Sequence, residues 1–187
     1  MKKILLITCC LLLSWNAGAM EVSGVKLPDS IHLGNHDLVL NGAGLRTRFF
    51  FKVYVAALYL GEKTHAAEAA LDQPGVKRVS MHILREISDE KMSNAFNEAI
   101  AANHTTAEMQ ALEPQLKELT AIFHAIGKVK EGDVVNLDYF PDSGTQIIVN
   151  GVQRGNIPGA AFNRALLKIW LGDKPAQADL RQEMLGL

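Results

Sequence analysis

Alternation of apolar and polar residues with a period of two predicts β-strands in both halves of the chain. Turn signals bound several of these segments, notably residues 141–144 (PDSG) and the dipeptides NG at 41–42 and 150–151. The predicted strands cover residues 21–27, 37–40, 76–84, 133–140, 145–149 and 152–154. A longer stretch, residues 41–61 (NGAGLRTRFFFKVYVAALYLG), is rich in Phe, Val and Tyr, which favours strand over helix.

Apolar stripes with a helical period alternate with these strands. The predicted helices cover residues 65–73, 88–102, 105–126, 158–171 and 176–185. Ser88 is the predicted N-cap of the second helix. Pro114 interrupts the third, so we expect either a kink or a new helix starting near Glu113. The order of strands, helices, strands and helices is typical of an α+β fold with a mostly antiparallel sheet, and no linker divides residues 20–187, which predicts a single domain.

The first residues have the pattern of a secretory signal peptide rather than of the folded domain. Lys2 and Lys3 precede a short apolar run, residues 4–13, and residues 17–19 (AGA) fit the small-residue cleavage pattern. The apolar run is too short to cross a bilayer as a helix. We therefore predict a signal peptide over residues 1–19, cleaved after Ala19, and a mature protein in a bacterial periplasm with no stable membrane span.

Removal of that segment restricts the available chemistry. Both cysteines, Cys9 and Cys10, lie within it, so the mature chain has no disulfide, thiolate nucleophile or cysteine-ligated metal. The formal net charge falls from −1 to −3 with the loss of two lysines, which predicts no affinity for nucleic acid and no general affinity for anionic lipid surfaces. The oligomeric state is left open.

Common catalytic motifs are missing from the sequence. The six histidines show no HExxH motif and no paired spacing, so no metal site is predicted. No Gly-x-Ser-x-Gly elbow occurs, and residues 42–44 (GAG) lack the third glycine of a dinucleotide loop and precede a strand. Asp133 and Asp138 are expected as exposed strand residues rather than as an acid/base pair.

Arginine in apolar surroundings is the remaining candidate for function. Five arginines lie in or beside predicted strands: Arg46, Arg48, Arg78, Arg85 and Arg154. Each could lie on a solvated face or pair with Asp or Glu. Alternatively, one of them lies at the floor of an apolar pocket and binds a carboxylate or polarised carbonyl through its planar fork. Tyr54 and Tyr59 could add hydroxyl donors to the same anion.

The sequence resembles the chalcone isomerase-like family, in its short bacterial exported branch. The resemblance rests on the order and spacing of GAGLR, KVYVAALYLG, GTQIIVNG and NIPGAAFNRALLKIWLG, and it covers about residues 38–187. It implies an open-faced sandwich, in which a layer of helices packs on one face of an antiparallel sheet and a ligand cleft lies between them.

The resemblance implies two activities for such a fold. Plant members close a chalcone into a flavanone, with an arginine that stabilises the oxyanion and hydroxyl residues that assist; other members bind fatty acids through the arginine and a tyrosine. Arg46 matches the family arginine, and Tyr54 falls where the fatty-acid binders carry tyrosine. Ile87 and Ser88 occupy the region of the catalytic tyrosine, and losing proton-handling hydroxyls costs about 10²–10⁴-fold in rate.

We therefore expect a small hydrophobic ligand, such as a fatty acid, bound without catalysis. The predicted ligand-binding residues are Arg46, Tyr54, Arg48 and Tyr59. One alternative is an isomerase or intramolecular lyase that uses Arg46 on an enone-like substrate, and another is an envelope protein that binds a partner chain. No cofactor is predicted: a related branch binds haem, but ligation here would need His or Tyr, and no motif indicates it.

A geometric condition attaches to the pairing of Arg46 with Tyr54. In one straight strand these two residues would lie about 26 Å apart and could not share a head group. The hypothesis requires a hairpin or sharp bulge within residues 49–52. Without such a bend, Arg48 or an arginine of a neighbouring strand is the better candidate.

Overall fold

The computed structural model describes residues 18–187 and contains eleven strands and six helices within them. The predicted signal peptide therefore lies almost wholly outside the described residues. The strands are β1 (Ala19–Val22), β2 (Val25–Pro28), β3 (Ser30–Leu33), β4 (His36–Arg48), β5 (Phe51–Leu60), β6 (Lys77–Ile83), β7 (Ile87–Ser88), β8 (Lys128–Val129), β9 (Val134–Phe140), β10 (Gly144–Val149) and β11 (Val152–Ile157). The helices are α1 (Ala67–Asp72), α2 (Asp89–Ala102), α3 (Thr106–Ala111), α4 (Glu113–Ile126), α5 (Ala160–Leu171) and α6 (Ala178–Met184).

Seven of these strands form one sheet in the order β11-β10-β9-β6-β5-β4-β3, and every neighbouring pair is antiparallel. Strands β1 and β2 form a separate hairpin, and β7 pairs with β8 at the edge of the helical layer. The sheet and the helices together make the α+β architecture that the sequence predicts.

The two faces of the sheet bury different cores. Along β5, Tyr54 and every second residue after it face the helices, where the fully buried side chains include Trp170, Phe123 and Phe162. The intervening residues of β5, Val55 and Ala57 among them, face a smaller core that the β1–β2 hairpin helps to cover.

Several local signals act as the sequence predicts. The Ser88 hydroxyl accepts a hydrogen bond from the backbone N–H of Lys91 and caps α2. Pro114 lies in the first turn of a new helix that begins at Glu113, where its missing N–H costs no hydrogen bond. The alternation in residues 76–84 is also confirmed, since Val79 and its neighbours two residues apart are buried against the helices.

One prediction about the region around Gly42 is wrong. The Asn-Gly dipeptide at 41–42 does not end a strand, because β4 continues through it from His36 to Arg48. The stretch 41–61 turns back after Arg48 and returns as β5, which is the bend that the pairing of Arg46 with Tyr54 requires. Gly42 is required by packing instead: a Cβ at this position would lie 2.1 Å from the carbonyl oxygen of Glu183 in α6.

Candidate functional site

A tight hairpin between β4 and β5 places Arg46 directly across from Tyr54. The loop has two residues, Phe49 and Phe50, whose φ angles of 53° and 66° are positive as in a type I′ turn. Antiparallel partners at the same register project to the same face of the sheet. The bend that the pairing requires is present, and both side chains lie on the face that carries the helices.

The Tyr54 hydroxyl is held by the helical layer. It accepts a hydrogen bond from the indole N–H of Trp170, in α5, over 3.1 Å. Trp170 is 1% exposed and meets the ring of Phe96 edge-on, with the ring centroids 5.9 Å apart. Because one lone pair of the hydroxyl oxygen is engaged in this way, its own proton points elsewhere and remains available to an acceptor.

Burial raises the pKa of Tyr54, against the smaller lowering effects of the Trp170 hydrogen bond and of the charge on Arg46. The hydroxyl is therefore protonated at neutral pH and acts as a hydrogen-bond donor rather than as a phenolate. Arg46 stands opposite Tyr54 in the register of the hairpin, so its guanidinium and the hydroxyl belong to neighbouring positions on one face of the sheet. Together the two groups present donors and one positive charge at the same place.

Arg46 is half-buried, and its guanidinium is positioned by α6 rather than by an acid. Its Nη1 donates to the carbonyl of Thr47 over 2.6 Å and to Oε1 of Gln177 over 3.1 Å. Gln177 also accepts from the backbone N–H of Thr47 and donates to the carbonyl of Leu45, so it fastens the free edge of β4. Among residues 18–187, no Asp or Glu forms an ion pair with Arg46.

The remaining predicted arginines have structural roles or lie on the surface. Arg78 makes two hydrogen bonds of 2.5 Å to Asp138, which is fully buried. The expectation that Asp138 is an exposed strand residue is therefore wrong, because it neutralises Arg78 from the neighbouring strand. Arg85 stacks over the ring of Phe51 at 4.4 Å, and Arg154 is exposed.

The structure does not bring Arg48 and Tyr59 to the Arg46–Tyr54 pair. Arg48 is exposed beside the hairpin loop, beyond a register shift in β4 that follows Arg46. Tyr59 lies on the opposite face of the sheet, where its hydroxyl donates to the carbonyl of Pro28 over 3.1 Å. Burial raises the pKa of Tyr59 to about 12, so this hydroxyl is also a permanent donor, but for a structural bond.

Trp170 and Gln177 belong to the cluster, although sequence reasoning did not select them. Trp170 is recognisable only as one apolar residue in the stripe of α5. Gln177 precedes α6 and is separated from Arg46 by 131 positions. No local pattern links either residue to the hairpin, so only the fold could reveal them.

The two best-defined cavities of the described residues lie away from this cluster. One is an open groove of about 400 Å³ between α2, α3 and α4, and it includes the apolar side chains of Met109 and Leu116. The other, of about 290 Å³, lies near His104 and Lys168. Neither is lined by Arg46 or Tyr54.

The described residues contain neither a cluster of metal ligands nor a membrane-spanning helix. Within residues 18–187, no three His, Cys, Asp or Glu side chains cluster as a metal site would require. No helix in the described part of the chain is both long enough and apolar enough to cross a membrane.

Comparisons with known proteins agree with the fold. The family profile described as chalcone isomerase-like matches residues 19–186. Among solved structures, a fatty-acid binding protein of Arabidopsis thaliana is similar, with a TM-score of 0.69 and 16% sequence identity. The alignment covers 87% of this chain and 92% of that one. At this identity the similarity establishes the fold alone. A search of curated protein sequences finds no match.

Proposed function

The chain belongs to the chalcone isomerase-like family, and from this premise we propose that it is a non-catalytic binding protein for a hydrophobic carboxylate of the fatty-acid type. The observation that carries the proposal is the pairing of Arg46 with Tyr54 at one register position of the β4–β5 hairpin. Arginine supplies the charge and the hydroxyl supplies a neutral donor, a combination that suits one carboxylate group.

The surroundings of Arg46 favour an external anion. Its Nη1 is engaged by two oxygens of the protein, while no acid in residues 18–187 neutralises its charge. Arg78, in the same sheet, shows the contrasting case, because Asp138 satisfies it completely. A half-buried arginine without an acid is costly to retain for structure alone. A ligand carboxylate would provide the missing partner.

The tail of a ligand held by Arg46 and Tyr54 would extend between the sheet and the helical layer, where Trp170 packs at the Tyr54 hydroxyl. We therefore expect binding to displace side chains between the sheet and the helical layer. Residues 172–177, between α5 and α6, are the segment whose movement would uncover Arg46, because Gln177 contacts its guanidinium. Several residues of this segment are exposed or half-buried, so moving it disturbs little of the core.

The Arabidopsis neighbour bears the name of a fatty-acid binding protein, which supports the same ligand class for this fold. The predicted signal peptide adds the periplasm as the proposed compartment, and no cofactor is part of the proposal. Export is tested by the mass of the mature protein, which should begin at Met20 when the full gene is expressed in a bacterium. A protein that retains residues 1–19 in the cytoplasm would contradict the periplasmic location.

Binding is tested with purified protein by native mass spectrometry and by titration with oleate and oleyl alcohol. Arg46→Ala and Tyr54→Phe should each weaken oleate binding by roughly 10- to 100-fold, the value of a hydrogen bond to a charged group. Both variants should bind oleyl alcohol nearly as the wild type does, because the alcohol lacks the carboxylate. Arg154→Ala, which removes an exposed arginine elsewhere, is the matched control.

Two results would overturn the proposal. One is a wild-type protein that carries no lipophile and shows no thermal shift across fatty acids of different chain length. The other is an Arg46→Ala variant that binds oleate with unchanged affinity while remaining folded.

A further inference from the structure

The β4–β5 hairpin ends in an unusually exposed aromatic tip. Phe49, Phe50 and Phe51 are 77%, 105% and 59% exposed, and they are consecutive in the chain. Large apolar side chains that cluster on a surface mark a site of association, whereas single exposed ones need no explanation. The tip, defined as residues 48–52 (RFFFK), is therefore a candidate contact surface.

The backbone conformation of the tip is strained for the residues that occupy it. Phe49 and Phe50 both have positive φ, a conformation that Asn and Gly adopt readily and bulky residues avoid. An Asn-Gly loop would form the same turn without strain. Phenylalanine at both positions therefore offers no benefit to the fold, and strain of this kind is typical of functional segments.

The tip also projects beyond the sheet. On the side of β6, the last backbone contact of the hairpin is the hydrogen bond from Leu84 to the carbonyl of Val53. Phe50 lies three residues further along, which places it about 10 Å beyond that contact. This reach corresponds to the depth at which apolar groups insert into the boundary between lipid head groups and acyl chains, about 5–10 Å.

Cations surround the three phenylalanines. Arg48 and Lys52 flank them in the chain, and the exposed Arg85 lies over the ring of Phe51 at 4.4 Å. None of these cations forms an ion pair within residues 18–187, and Glu86, the acid beside Arg85, is paired with Lys128 instead. An apolar tip surrounded by basic side chains that have no acidic partner is complementary to a lipid surface that carries phosphates.

We propose that residues 48–52 dock this protein on the surface of an anionic phospholipid bilayer, with Phe49 and Phe50 inserted below the head groups and Arg48, Lys52 and Arg85 on the phosphates. The overall charge predicts no general affinity for such a surface. However, salt screens each charge beyond about 10 Å, so the cations next to the tip determine the electrostatic attraction between the tip and the lipid phosphates. The proposal does not depend on the proposed ligand. Docking through the tip would place Tyr54 about 14 Å from the inserted phenylalanines.

The test is flotation of the purified protein with vesicles of phosphatidylcholine containing 30% phosphatidylglycerol, compared with phosphatidylcholine alone. The double variant Phe49→Asn/Phe50→Gly retains the turn, and it should lower the affinity for the anionic vesicles at least about tenfold, as expected for loss of a buried phenylalanine. Leu187→Ser is the matched control, since Leu187 is an exposed apolar residue at 70% but lies outside the hairpin.

The charge component is tested separately. Arg48→Gln and Lys52→Gln should each weaken binding to anionic vesicles about fivefold, while Lys63→Gln, at an exposed position beyond the other end of β5, should not. The Phe49→Asn/Phe50→Gly variant should bind oleate as the wild type does, which separates this inference from the proposed ligand.

Three results would overturn the docking proposal. The wild type could fail to float with either vesicle, or the Asn-Gly variant could float as well as the wild type. A third is a lipid-free dimer that the Asn-Gly variant loses, because the occupant of the tip would then be a second copy of the chain.

Discussion

Replacement of Gly42 by alanine tests whether the glycines of the GAGLR segment serve the packing of α6. A Cβ on residue 42 would lie 2.1 Å from the carbonyl oxygen of Glu183 and 2.9 Å from the backbone nitrogen of Gly186. Both contacts are to backbone atoms, so no side-chain rotation can relieve them. The C-terminal helix must therefore move away from β4 in this variant.

The size of the effect follows from two competing responses. If α6 detached, Leu180, Met184 and Leu185 would lose burial that is now 98–100% complete, at about 1.5–3 kcal/mol for each side chain. If α6 shifts while it remains docked, the cost is that of an overpacked contact, about 1–3 kcal/mol. The protein adopts the response that costs less free energy. We therefore expect α6 to shift and the free energy of unfolding to fall by about 2 kcal/mol.

Urea unfolding and thermal melting measure this change, which corresponds to a fall in Tm of about 4–8 °C for a chain of this size. Gly61→Ala is the matched control, because its Cβ would meet only ordinary contact with the Gln73 side chain at 3.7 Å. Gly42→Ala should also speed hydrogen exchange in residues 178–185. A variant as stable as Gly61→Ala, with unchanged exchange, would refute the assignment of Gly42 to α6 packing.

Two further predictions concern buried charge. Asp138→Ala should cost about 3–5 kcal/mol in urea unfolding because it leaves Arg78 uncompensated, while the Arg78→Met/Asp138→Leu double variant should regain most of that loss. Equal instability of both variants would assign the cost to packing. Burial lowers the pKa of Lys77 to about 8, although its Nζ donates to the carbonyl of Leu71. The unfolded chain therefore binds more protons between about pH 8 and pH 10.5, so stability should rise through that window relative to Lys77→Met. A constant difference between the two proteins would contradict this.

The fold was accessible from sequence wherever the signal was local. The cap at Ser88, the helix start at Glu113 and the alternation in β6 each depend on neighbours within a few positions. Predictions failed where a distant element decided the outcome. Strand β4 continues through Gly42, usually part of a turn signal, with only a register shift between Leu40 and Gly42. Glu183 in α6, 141 positions away, packs against it there.

The candidate site was likewise only partly predictable from local sequence. Arg46 and Tyr54 could be selected from residue type and from the family resemblance, but their proximity depends on the turn at Phe49 and Phe50. That turn lacks the Asn, Asp or Gly that normally identifies a two-residue hairpin. Residue type therefore favours strand throughout this stretch, and only the geometric condition on the pair requires a bend.

The same absence of turn residues connects the two proposals. A hairpin that served only to bring Arg46 opposite Tyr54 would be formed with less strain by Asn-Gly at its tip. Glycines do occur elsewhere in this hairpin: at Gly42 an added Cβ would meet the backbone of α6, and at Gly44 it would meet the Glu183 side chain. The hairpin thus has small residues where packing requires them and large ones where its turn disfavours them. Stability accounts for the first choice but not for the second, which supports the proposed contact of the phenylalanines with a lipid surface.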